Sequence, residues 1–198
     1  MTRRACIGML SPFARMSRFP TDVLWTCIAT PEPPELEQGP RSQVKPLALL
    51  QEELSRFFGK HPLETGRAQR LRAVALLYHD HHDEAHDLVQ DLTDADGALI
   101  HGILHRREPD YWNAKYWFRR FVAHPAHLAL GKRLRSLAKT PAEVESAASL
   151  TLPGAFDPFG FVDACESVAK IPVTHPTTAW LRRVQQAEFE DLVNHLLA

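Results

Sequence analysis

The sequence predicts an all-α protein, a single-domain bundle of about seven to eight helices. Three observations carry this expectation. From Pro46 onward, apolar residues return at helical spacing, as in Leu47, Leu50, Leu54 and Phe57 or Phe58. No segment alternates apolar and polar residues, and no Asn-Gly or Asp-Gly turn stands between two strand-like runs. Helix-starting signals recur, as in Thr140-Pro141-Ala142-Glu143, a capping-box sequence with proline at the first helical position.

The elements follow in chain order. Residues 1–45 contain six of the fifteen prolines, including Thr30-Pro-Glu-Pro-Pro. Proline removes backbone donors and disfavours helix at the residue before it, so this stretch reads as a flexible Pro-rich N-terminal extension. Its first 21 residues carry four arginines and no acid. That composition suits an organellar transit peptide, and is read here as a loose extension. The helical domain is expected over 46–198. Its first helix spans Pro46–Phe58, where Gly59 and Pro62 stop it. A longer second helix is expected over 66–92, with Leu71, Val74, Leu77, Tyr78, Ala85 and Leu88 on one arc. Asp94-Ala-Asp-Gly opens a third, through about Arg106. Pro109-Asp110 starts a fourth, which ends before Pro125. Further helices are expected over 125–138, 141–150, 158–170 and 177–197.

Composition narrows function by exclusion. The net charge is −1 at neutral pH, which argues against nucleic acid and against an anionic membrane surface. No apolar run reaches the length of a membrane span. The three cysteines are scattered without C-x-x-C spacing, so neither a disulfide framework nor a thiolate metal site is expected. This cysteine usage suits a reducing, cytoplasmic setting.

Eleven histidines are the outlier. "YHDHHDEAHDLVQ" sets four of them among four acids, and His101 and His105 follow at i, i+4 spacing. On the second helix His82 falls within the buried arc, with His86 and His79 at its rim. An antiparallel pair of helices then aims His79, His82 and His86 towards His101 and His105, as helical bundles build metal sites. Imidazole with carboxylate and no thiolate suits Zn²⁺, Fe²⁺, Mn²⁺ or Ni²⁺. Asp83, Glu108 and Asp110 are candidate outer partners, taking the second ring N–H of a ligating histidine. The competing reading is a polar core of histidines satisfied by carboxylates and carbonyls.

The next block changes sign. His79–Asp96 has seven acids and no Lys or Arg, whereas His101–Arg135 has eight bases against two acids. Opposite blocks this close suit a structural ion-pair network. They also suit an anion site in which Arg106, Lys115 and Arg119 converge, with Asn113 near a helix N-terminus. Trp112, Tyr116 and Trp117 would wall such a site.

Three resemblances attach to these residues. His82-Asp83-Glu84-Ala85-His86 resembles the zincin H-E-x-x-H, with Asp in place of the Glu base. "ALLYHDHHDEAH" resembles the HD-domain phosphohydrolases, whose His-Asp pair ligates metal. The pair would be His79-Asp80, with His61 and Asp110 as further ligands. "HGILHRREPDYWNAKYWFRR", with "YHDHHDEAH" before it, resembles a family of small proteins carrying an HGxxHRREPDYxNAKYWFRR-like block. That block covers roughly His79–His124 and implies a relative without an established activity, so it brings no residue roles.

The expectation is therefore a metal-binding helical protein, a metal-dependent enzyme acting on a small anionic substrate. The alternative is a non-catalytic module that binds an anionic ligand, or an interaction protein with a structural His/Asp/Arg network.

Overall fold

A computed structural model describes residues 21–39, 41, 43–121 and 123–198. The expected loose segment up to residue 20 lies outside these. Among the described residues the fold is all-α, with ten helices and one two-stranded hairpin.

Helices α1 (Thr21–Ile28), α2 (Leu47–Lys60), α3 (Thr65–Tyr78), α4 (His82–Val89), α5 (Ala95–Arg107) and α6 (Tyr111–Phe118) form one half. In the other half, α7 (Pro125–Leu137) and α8 (Pro141–Ser149) precede strands β1 (Thr151–Leu152) and β2 (Ala155–Phe156). Helices α9 (Pro158–Val168) and α10 (Pro176–Leu197) complete the chain. Each half has its own apolar cluster, one around Leu71, Leu77, Ile100 and Phe118, the other around Leu134, Phe161 and Trp180. α10 joins them. It gives Trp180, Leu181 and Val184 to one cluster and Phe189, Leu192 and Val193 to the other. A helix buried on nearly every side is the axis about which the rest packs.

Local chemistry explains the boundaries. Side chains of Glu64, Asp94, Asp110, His124, Thr140, Asp157 and His175 cap α3 and α5 to α10 by accepting first-turn N–H groups. Proline opens α7, α8, α9 and α10, where its missing donor costs nothing. Gly102 lets α6 approach α5, because a Cβ there would sit 2.3 Å from the Phe118 ring.

Three expectations are corrected. The helix expected over 66–92 is two helices, broken at His79–His81. Asp80 adopts a left-handed φ of 65°, and its carboxylate takes Arg41 and Arg107. Two guanidinium groups hold the chain in a conformation that an α-helix cannot pass through. Second, the segment expected to be a flexible extension contributes α1, whose Leu24 and Ile28 are fully buried. The prolines after it are strapped to the body. Arg182 donates to the carbonyls of Pro33 and Pro34, Gln185 to those of Pro34 and Glu35, and Tyr111 to the Glu37 carboxylate. A proline-rich chain has few N–H groups but keeps its carbonyls, so side-chain donors hold it. Third, the helices among the described residues number ten instead of seven to eight, and a short hairpin lies between α8 and α9. Pro153-Gly154 forms its turn, with Gly154 at φ 82°.

Candidate functional site

The five histidines expected as ligands divide into two groups. His79 and His82 are buried beside the α3–α4 break. His79 Nδ1 accepts the Lys45 N–H at 3.0 Å, while neither ring nitrogen of His82 has a hydrogen-bond partner among the described residues. Burial, with nearby positive charge, holds His79 at about 4 and His82 at about 3. Both are neutral core imidazoles at physiological pH.

His86, His101 and His105 do meet across α4 and α5, with ring centroids 5.4–6.1 Å apart. His101 and His105 each commit Nδ1 to another partner. His101 stacks on Trp117 at 3.9 Å and its Nδ1 bonds the Gly97 carbonyl. His105 Nδ1 faces Glu108 at 2.9 Å, so Glu108 is indeed a histidine partner. Asp83 is exposed, and Asp110 caps α6. The array is edge-on at His86 and stacked from His105 through His101 to Trp117, with no three ligand atoms brought together. The HD-like set disperses as well, because Asp80 is paired to two arginines and His61 packs on Phe57.

The expected anion site is not assembled either. Arg106 is fully buried and pairs with Glu188 at 2.5 Å, its guanidinium 4.4 Å from the Phe161 ring. His127 Nε2 lies 3.0 Å from the other Glu188 oxygen. Burial raises the Glu188 carboxyl, but Arg106 and the His127 hydrogen bond outweigh it and hold it at about 2. Lys115 pairs with Asp163, and Arg119 is exposed near Phe159. Asn113 donates its backbone N–H to the Asp110 cap. Of the expected walls, Trp112 is 74% exposed and Tyr116 43%, and Trp117 covers His101.

A different trio forms the candidate site. Among the described residues, only Asp96, His124 and His195 bring three potential ligand atoms within 4.8 Å of one another. Asp96 sits in the first turn of α5, His124 caps α7, and His195 lies in the last turn of α10. Nε2 of His124 and Nε2 of His195 each lie 2.9 Å from the same oxygen, Asp96 Oδ1. The hydrogen bond from His124 holds the Asp96 carboxyl below its ordinary range against the effect of burial, and His195 adds to it. The Ala126 N–H donates to His124 Nδ1 at 3.1 Å, so that nitrogen is unprotonated and Nε2 carries the proton shared with Asp96. The trio lies in a cleft of about 530 Å³, with Glu64, Arg67, Arg70 and Asp94 around it.

Sequence reasoning passed over these residues for a physical reason. Asp96 and His195 are 99 positions apart, and no local spacing links them. The one local signal was His124-Pro125, a capping residue before a first-position proline, which reads as a helix start.

No protein-family model, curated protein or solved structure matches the chain.

Proposed function

We propose that the protein is a divalent-metal-binding helical protein whose ion is held by Asp96, His124 and His195. The observation that carries this reading is the convergence of two imidazole nitrogens on one carboxylate oxygen inside an open cleft. Two imidazoles and one carboxylate suit Zn²⁺, Fe²⁺, Mn²⁺ or Ni²⁺ and leave coordination positions open towards the cleft. An ion with open positions polarises a bound ligand or activates water, which is the chemistry of a metal-dependent enzyme. Ligation would turn each Nε2 from donor to ligand and move its proton to Nδ1. For His124 that breaks the cap on Ala126, at a cost of about 1 kcal/mol.

Titrating the untagged protein with Zn²⁺ or Mn²⁺ by calorimetry tests the reading. One ion per chain is expected, with affinity lowered about tenfold or more in Asp96→Asn and His195→Ala. Unchanged affinity in both variants contradicts it.

The tautomer of His124 favours a second reading, in which the trio is a permanent hydrogen-bond network and the cleft is a plain ligand site. Under that reading all metal titrations are flat.

A further inference from the structure

Three helices begin at this one cleft. Glu64 caps α3, Asp94 caps α5 and His124 caps α7, and all three caps line it. Helix starts favour negative charge, but here the caps already occupy the N–H groups of Gly66, Arg67, Gly97 and Ala126. What remains for an incoming anion is the pair of guanidinium groups.

The two arginines differ. Arg70 pairs with Asp94, and its Nε lies 3.8 Å from the second oxygen of Asp96. That Nε is buried and makes no hydrogen bond among the described residues. Arg67, one turn earlier on α3, lines the cleft with its guanidinium in no hydrogen bond or salt bridge among the described residues. It is a cation facing the same space as the Asp96 carboxylate, with the Glu64 carboxylate as its electrostatic neighbour.

Charge then sets the order of binding. Without an ion, the carboxylates of Glu64, Asp94 and Asp96 outnumber the two guanidinium groups by one, and the cleft repels anions. A divalent cation on Asp96 reverses the sign. About 530 Å³ also leaves room for a small molecule beside the ion.

We infer that the cleft takes a small oxyanion, a carboxylate or phosphoryl group, as a further ligand of the bound cation, with Arg67 as its second contact. This inference rests on the metal reading above. The anion binds the loaded protein and not the empty one. By linkage, the anion tightens the cation by the same factor by which the cation tightens the anion.

The test measures Zn²⁺ affinity of the untagged full chain by competition with a chromophoric chelator. It is run alone, with millimolar acetate and with millimolar methylphosphonate, in wild type and in Arg67→Ala. Free anions sequester zinc and weaken its apparent binding, so any tightening comes from the site. Tightening of about fivefold or more by either probe is expected in wild type. The probe that acts identifies the group, carboxylate or phosphoryl. Arg67→Ala, checked for an unchanged melting curve, is expected to bind zinc alone as wild type does and to lose the tightening. Zinc binding without tightening by either probe overturns the inference and leaves the metal reading intact. Tightening that survives in Arg67→Ala overturns the role of Arg67. Absence of zinc binding overturns both readings.

Discussion

Nε2 of His195, one turn from the end of α10, lies 2.9 Å from Oδ1 of Asp96 at the start of α5. The same oxygen takes Nε2 of His124 at the start of α7, so one carboxylate ties three helices. This makes Asp96 a structural acceptor as well as the proposed ligand. Asp96→Ala leaves the buried Nε2–H of His124 without a partner, which costs about 1–3 kcal/mol. Urea unfolding of the two apo proteins measures it, and a smaller loss is expected for His195→Ala because that ring is partly exposed.

The buried histidines set the acid limit of the fold. His79, His82 and His101 are held at about 4, 3 and 4, principally by burial, against about 6.5 in an unfolded chain. Below 6.5 the unfolded chain therefore binds more protons than the folded one. Stability from these groups is complete above about pH 6.5 and falls as the pH drops towards 4 and then 3, by up to about 1.4 kcal/mol per pH unit for each ring. Urea midpoints measured from pH 8 to 4 are expected to be flat at the top and steep below 6.

His82 gives that prediction a sharper form. Its ring is 1% exposed and neither nitrogen has a partner among the described residues. An apolar side chain of similar size removes two unpaired polar atoms from the core. His82→Leu is expected to raise stability at pH 7 by about 1 kcal/mol and to flatten the acid slope. A loss of stability at neutral pH would mean that the ring has a partner.

Arg106 and Glu188 hold the two halves together through a pair in which neither side chain is exposed. Removing one partner strands a charge, so Glu188→Gln is expected to cost about 3–5 kcal/mol. The double variant Arg106→Met/Glu188→Leu should recover most of that loss. Denaturation of the single and double variants checks both values.

Gly102 offers a steric test of the α5–α6 contact. Gly102→Ala would place a methyl 2.3 Å from the Phe118 ring, which must move. Overpacking of this kind costs about 1–3 kcal/mol, and Phe118→Leu in the same chain is expected to relieve part of it. Thermal melts of the single and double variants decide.

Much of the fold was legible because helix starts are written locally. Thr140-Pro141 and Pro158 sit where α8 and α9 begin, and apolar periodicity marked the face of α2. What escaped depends on distant partners. The α3–α4 break at Asp80 is held by Arg41 and Arg107, 39 and 27 positions away. The docking of Pro33 and Pro34 depends on Arg182 near the other end of the chain. The site follows the same rule. Histidine density drew attention to "YHDHHDEAH", yet the chain breaks at His79–His81 and sends these side chains to different surroundings. Asp96, His124 and His195 converge only after α5, α7 and α10 have packed. Of the expected residues, His86, His101 and His105 lie near one another across α4 and α5, with His101 stacked on Trp117.

The most direct measurement is an anomalous difference map, collected at the absorption edge of Zn²⁺ soaked into crystals of the untagged protein. The account predicts one strong peak within coordination distance of Asp96, His124 and His195. A peak among His86, His101 and His105 instead, or no peak on the chain, would contradict it.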